Sequence, residues 1–93
     1  MIEAIPLTAT KDIHPIARKI RLSEYDEVIG ILVDIEYLDD EVILCLSRYE
    51  KEILILSFFD EDAEFVKKFG LDKAINQRIG ILKIDREIRI KII

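Results

Sequence analysis

A mainly β fold, five strands with one short helix between the third and the fourth, is what the sequence predicts, and three observations predict it. Between Val28 and Leu56 three apolar runs are separated by two short polar turns. After them a short segment opens on acids and closes on Lys67, Lys68 and Gly70. The chain then ends on two further apolar runs, Arg78 to Ile84 and Glu87 to Ile93, that meet at Asp85-Arg86.

Residues 1–15 carry Pro6 and Pro15 without a sustained apolar period, which predicts an extended arm ahead of a single domain over residues 16–93. Ile16 to Leu22 fits either a strand or a helical turn, and Ser23 to Glu27 is a charged connection. In the first strand of the meander Ile29, Ile31, Val33, Ile35 and Tyr37 recur at every second position. That period of two predicts that the odd residues point inward. Gly30 lies inside this run, where a glycine weakens a strand unless the sheet bulges or bends there. The polar corner from Leu38 to Glu41 leads into Val42 to Ser47, and Arg48 to Lys51 leads into Ile53 to Phe59, both rich in β-branched and aliphatic residues.

Asp60, Glu61 and Asp62 stand ahead of Ala63 to Phe69, where carboxylates satisfy free N–H groups and suit the positive end of a helix dipole. Gly70 takes the position just past the helix end, and Phe65, Val66 and Phe69 share a face to bury. Leu71 to Gln77 is a connection, and the last hairpin alternates Ile88, Ile90 and Ile92 with Arg89 and Lys91.

Of the 93 residues 51% are apolar and 35% charged, a composition with enough core to fold and too little length for two cores. Isoleucine alone accounts for 19 residues, and Asn76 and Gln77 are the only side-chain amides. Abundant Lys and Glu with few thermolabile residues is the trend of hyperthermophile proteins and points to a thermophilic archaeon, although an AT-rich genome gives the same isoleucine excess. One cysteine forms no internal disulfide and suits a reducing compartment. With no secretory pattern at the N-terminus, and a longest apolar run of six residues (Val28 to Val33) against the roughly 20 that a membrane helix needs, a cytoplasmic protein is expected.

The net charge of −5 disfavours bulk attraction to nucleic acid, but the charge is unevenly placed. Glu24 to Glu64 holds 14 acids against Arg48 and Lys51, whereas Arg78, Lys83, Arg86, Arg89 and Lys91 outnumber Asp85 and Glu87 in the last hairpin.

Three meandering strands, a short helix and a closing hairpin resemble the oligonucleotide/oligosaccharide-binding (OB) fold, a five-stranded Greek-key barrel. The run Val28-Ile29-Gly30-Ile31-Leu32-Val33-Asp34-Ile35 is similar to the glycine-bent first strand of such domains in single-strand-binding replication factors. Arg78-Ile79-Gly80-Ile81-Leu82-Lys83-Ile84 is similar to their fourth. The resemblance covers Ile16 to Ile93. It implies a five-stranded OB-like barrel and a binder of single-stranded nucleic acid, or of another subunit in a replication, repair or recombination complex. Members that grip a strand use aromatic rings and basic grooves across strands 2 and 3. Here the loop between strands 1 and 2 is Asp39-Asp40-Glu41, and strands 2 and 3 carry aliphatic residues where rings are expected.

One Cys and one His assemble no zinc-type spacing, phosphate loop or nucleophile triad, so no enzyme, metal or cofactor is expected. His14, beside Pro15, reads as a surface residue, Cys45 between Leu44 and Leu46 as a buried unreactive thiol, and the acids at Asp39 to Glu41 as a solvated turn. Both alternate sets of strands 2 and 3 are apolar, so one of them faces outward whichever lies inside. A protein partner or a second copy is the expected occupant, with Ile43, Cys45, Ile53, Ile55, Tyr49 and Phe58 as interface candidates, unless the arm covers them. The expected function is a non-catalytic accessory or assembly subunit. The alternative is a single-stranded DNA or RNA binder using Arg78, Lys83, Arg86, Arg89 and Lys91.

Overall fold

The computed structural model describes residues 16–49 and 52–93, so the arm expected over residues 1–15, with His14, lies outside the described residues. One six-stranded sheet, with strand order β1-β4-β3-β2-β5-β6, is built from β1 (Ile16–Ile20), β2 (Glu27–Tyr37), β3 (Glu41–Arg48), β4 (Glu52–Phe59), β5 (Arg78–Ile84) and β6 (Glu87–Ile92). All neighbours are antiparallel except β1, which runs parallel to β4. Ile16 to Ile20 is therefore a strand, which brings the strands to six where five were expected. The sheet is open, with β1 and β6 as its edges.

The core lies on one side of the sheet. Leu44 and Leu46 of β3, Leu54 and Leu56 of β4, and Ile79 and Ile81 of β5 are fully buried there, with Val42 and Phe58 beside them. Burying each such side chain contributes about 1.5–3 kcal/mol.

β2 departs from the expected alternation. Val28, Gly30 and Leu32 are buried, while Ile29, Ile31 and Val33 face out. Both sets are apolar, so period alone did not determine which faces in. A β-bulge between Leu32 and Asp34 then reverses the phase: Leu32 opposes Leu46, Asp34 opposes Cys45 and Ile35 opposes Leu44. Beyond the bulge the odd residues do turn inward, and Ile35 packs on the core. Were the alternation to run unbroken through Val33, Asp34 and Glu36 would be driven into the apolar layer, a costly burial of charge. At the same point Leu32 leaves β5 and exchanges backbone hydrogen bonds with Asn76 (2.7 Å) and Gln77 (3.0 Å). Gly30 fits the tight crossing just before it, since a Cβ there would lie 3.0 Å from the Ser47 carbonyl oxygen and 3.2 Å from Leu46 Cβ.

The helix α1 (Asp60–Lys68) begins three residues earlier than the apolar pattern suggested. Its three acids occupy the first turn, where their charges suit the positive end of the helix dipole, and none makes a side-chain cap bond. Ala63 and Val66 are its buried stripe, Phe65 is half-buried, and Phe69 is exposed rather than sharing the buried face. Gly70, at φ 64°, turns the chain into the 3₁₀ turn Leu71–Ala74, which seats Leu71 and Ala74 in the core. The β5–β6 hairpin closes on Asp85 and Arg86, both left-handed (φ 54° and 62°). The Glu24 carboxylate accepts their two backbone N–H groups.

Candidate functional site

The side of the sheet away from the core is where the chain's unspent apolar surface collects. Its rows follow from the register. Arg78, Ile31, Ser47, Ile53 and Ala17 lie across β5, β2, β3, β4 and β1. The next row is Asp34, Cys45, Ile55 and Lys19, and beyond it Glu36, Ile43 and Ser57. Ile29 and Ile31 are each 41% exposed and Val33 39%. Ile43, Cys45, Ile53 and Ile55 are half-buried beside them.

Four of the six interface candidates are thus brought together. Tyr49 stands at the rim in a left-handed turn (φ 60°), largely exposed, with the Arg48 guanidinium 5.5 Å from its ring centre. Phe58 does not belong: it shares the phase of Leu54 and Leu56 and lies in the core at 2% exposure. Ile29, Ile31 and Val33, which alternation assigned to the interior, join the outward face instead. Asp34 and Glu36 do face out, but under unbroken alternation that pair assigns Ile29, Ile31 and Val33 to the interior; the nearest signal of the phase change was Gly30, where a bulge or bend was expected. Cys45 is half-buried on this face rather than enclosed. Burial, followed by the neighbouring charges of Asp34 and Glu36, pushes its thiol above the ordinary value.

Of the basic candidates, Arg78, Arg89 and Lys91 share the outward face, Arg89 opposite Leu82 and Lys91 opposite Gly80. Lys83, expected on the same face, has the opposite phase: it opposes the buried Ile88 and donates to Asp62 of α1 at 2.8 Å. Arg86 sits at the hairpin tip. A cleft of about 510 Å³ runs over Ile29 and Ile31 between Arg78 and Tyr49, and a second of about 240 Å³ runs over Leu82 between Arg89 and Lys91. Glu27 lines both.

At the far end of β3 and β4 an ion cluster ties three strands. Glu52 accepts from Arg48 (2.9 Å) and from Arg18 of β1 (2.8 Å). Those hydrogen bonds, Arg48's first, hold the Glu52 carboxyl below its ordinary value. Tyr37, turned the other way, has its phenol pushed up by burial and then by Asp72. Among the described residues no three His, Cys, Asp or Glu side chains converge to hold a metal ion, and no helix is long and apolar enough to cross a membrane. Comparison with protein-family models, with curated proteins and with solved structures finds no match to this chain.

Proposed function

We propose that this chain is a non-catalytic, OB-like accessory or assembly subunit that binds another protein through the outward face of β2, β3 and β4, in a complex that processes DNA. One observation carries the reading. The core is already filled from one side of the sheet, yet Ile29, Ile31, Val33, Ile43, Ile53 and Ile55 gather on the other. A contiguous aliphatic surface of that kind marks a contact site. The DNA-processing setting rests on the resemblance of β2 to β6, three strands, a helix and a hairpin, to the OB plan. Affinity capture from the native cell tests it, with Ile31→Glu and Ile55→Glu as paired controls. A partner that is retained by the wild type and lost by both variants supports the reading. Recovery of the chain alone, as a monodisperse monomer, removes it.

A second reading, a binder of single-stranded DNA or RNA, has a specific support in Arg78, Arg89 and Lys91 facing the same way. It requires affinity that falls steeply with salt as phosphate neutralisation releases counterions. Arg89→Glu with Lys91→Glu then abolishes binding. An absence of oligonucleotide binding at low salt disposes of it.

A further inference from the structure

The surroundings of the two ends of β2 are opposite in charge. At its start lie the paired clefts, floored by Ile29, Ile31 and Leu82 and rimmed by Arg78, Arg89 and Lys91. Among the described residues only Arg89 of these cations has an ion partner, Glu87 at 3.8 Å. Just past its end stands the β2–β3 corner, where Leu38 is 41% exposed and is followed by exposed Asp39 and Asp40, with Asp34 and Glu36 behind them. The corner is held in place. Leu38 N–H donates to Glu41 O (2.8 Å), Asp60 N–H to Asp40 O (3.3 Å), and Lys67 Nζ to Asp39 O (3.2 Å).

We propose that a second copy of this chain is the occupant of the cleft, its Leu38-Asp39-Asp40 corner seated on the basic rim in a head-to-tail contact. This deepens the reading of the outward face as a protein-binding surface and rests on it. Cleft and corner are separated by seven residue steps, from Ile31 to Leu38, roughly 20 Å of extended strand. A molecule therefore cannot satisfy its own cleft. A heterologous contact of this kind closes into a ring or propagates as a chain. Leu38 supplies the apolar contact for the isoleucine floor, and the aspartates meet Arg78, Arg89 and Lys91, set against Glu27 in the cleft lining and Glu87 beside Arg89. A nucleic-acid strand fits less well. The cleft floor is aliphatic, Glu27 lies at the junction, and the surface beyond it bears Asp34 and Glu36, all of which disfavour phosphate.

The test is sedimentation of the full chain and of two variants, Arg89→Glu/Lys91→Glu and Asp39→Lys/Asp40→Lys. These residues place their side chains in solvent, and the corner is anchored through backbone carbonyls, so both variants should melt within a few degrees of the wild type. Wild-type mass should rise with concentration and fall with salt, and each variant alone should associate about tenfold more weakly or not at all. Mixed in equal amounts, the two variants should associate again, because the intact corner of one meets the intact cleft of the other and the two reversed sets of charges also match. A wild type that stays monomeric at high concentration and low salt overturns the proposal. So does a mixture that fails to pair, or an oligonucleotide that binds the wild type and is lost with Arg89→Glu/Lys91→Glu. A monomeric wild type that still captures a foreign protein through Ile31 and Ile55 would sink the self-docking and leave the proposed function standing.

Discussion

Lys83 Nζ lies 2.8 Å from Asp62 Oδ2, both side chains about a quarter exposed, and this contact joins β5 to the first turn of α1. It also removes Lys83 from the basic face that Arg89 and Lys91 share. Partial burial strengthens the pair relative to an exposed one, and a coupling of about 1 kcal/mol is expected. A double-mutant cycle with Lys83→Met and Asp62→Asn, read by urea denaturation, measures it. Strictly additive losses would show that the two groups contribute independently.

Glu52 gives the fold an acid-sensitive joint. Its carboxyl titrates below the ordinary glutamate value of 4.5 in the folded state because Arg48, then Arg18, bind the charged form. The stabilisation is therefore complete above that ordinary value and is lost as pH falls through the lowered folded one. Glu52→Gln should be less stable than the wild type at neutral pH and should lose less on acidification below about pH 4.5, its acid limb being flatter. Parallel stability curves for the two proteins would refute the assignment.

Cys45 reports on the outward face. Its thiol is raised by burial and by Asp34 and Glu36, so alkylation at neutral pH should be slower than for an unhindered cysteine. In Asp34→Asn/Glu36→Gln the midpoint of the pH–rate curve should move down and the neutral rate should rise. An unchanged midpoint would mean that the two acids do not reach the thiol.

The last hairpin carries local strain that a single substitution relieves. Asp85 and Arg86 are both left-handed, as a two-residue type I′ turn requires, and Arg86 at φ 62° carries a Cβ where glycine is preferred. Arg86→Gly should raise stability by about 1 kcal/mol, seen as a higher urea midpoint. A loss of stability would show that the arginine side chain holds the turn in some other way.

The strand positions of β3, β4 and β5 and the hairpin at Asp85-Arg86 were legible because β-branched runs end at charged corners. The inward sets of β3 and β4 were not, since Ile43, Cys45, Ile53 and Ile55 are as apolar as Val42, Leu44, Leu54 and Leu56. Only the placement of the helix and the 3₁₀ turn on one side of the sheet decides between them. Ile16 to Ile20 mixes Arg18 and Lys19 with two isoleucines and has no clear period; its strand character comes from the parallel partner β4, a long-range pairing absent from local pattern. The candidate site was half legible. Aliphatic excess announced an outward surface, but the phase change in β2 that brings Ile29 and Ile31 to it depends on one residue.

That residue is Val33, and the bulge it forms separates two readings of β2 by measurement. Uninterrupted alternation places Val33 in the core and Leu32 outside; the observed register buries Leu32 completely and leaves Val33 39% exposed. Val33→Ser should therefore change stability by no more than about 0.5 kcal/mol, whereas Leu32→Ala should cost about 2–5 kcal/mol through lost burial and the cavity it leaves. Deleting Val33 makes a further demand. The pairs Leu32 with Leu46 and Asp34 with Cys45 become consecutive, so Ile35 still points inward and Asp34 and Glu36 still point out. The shortened protein should fold, with its loss confined to the bend that the bulge provides. Thermal melts of all three variants decide the matter: if Val33→Ser is the severe substitution and Leu32→Ala the mild one, the phase of β2 is the reverse of the one described, and the outward face loses Ile29 and Ile31.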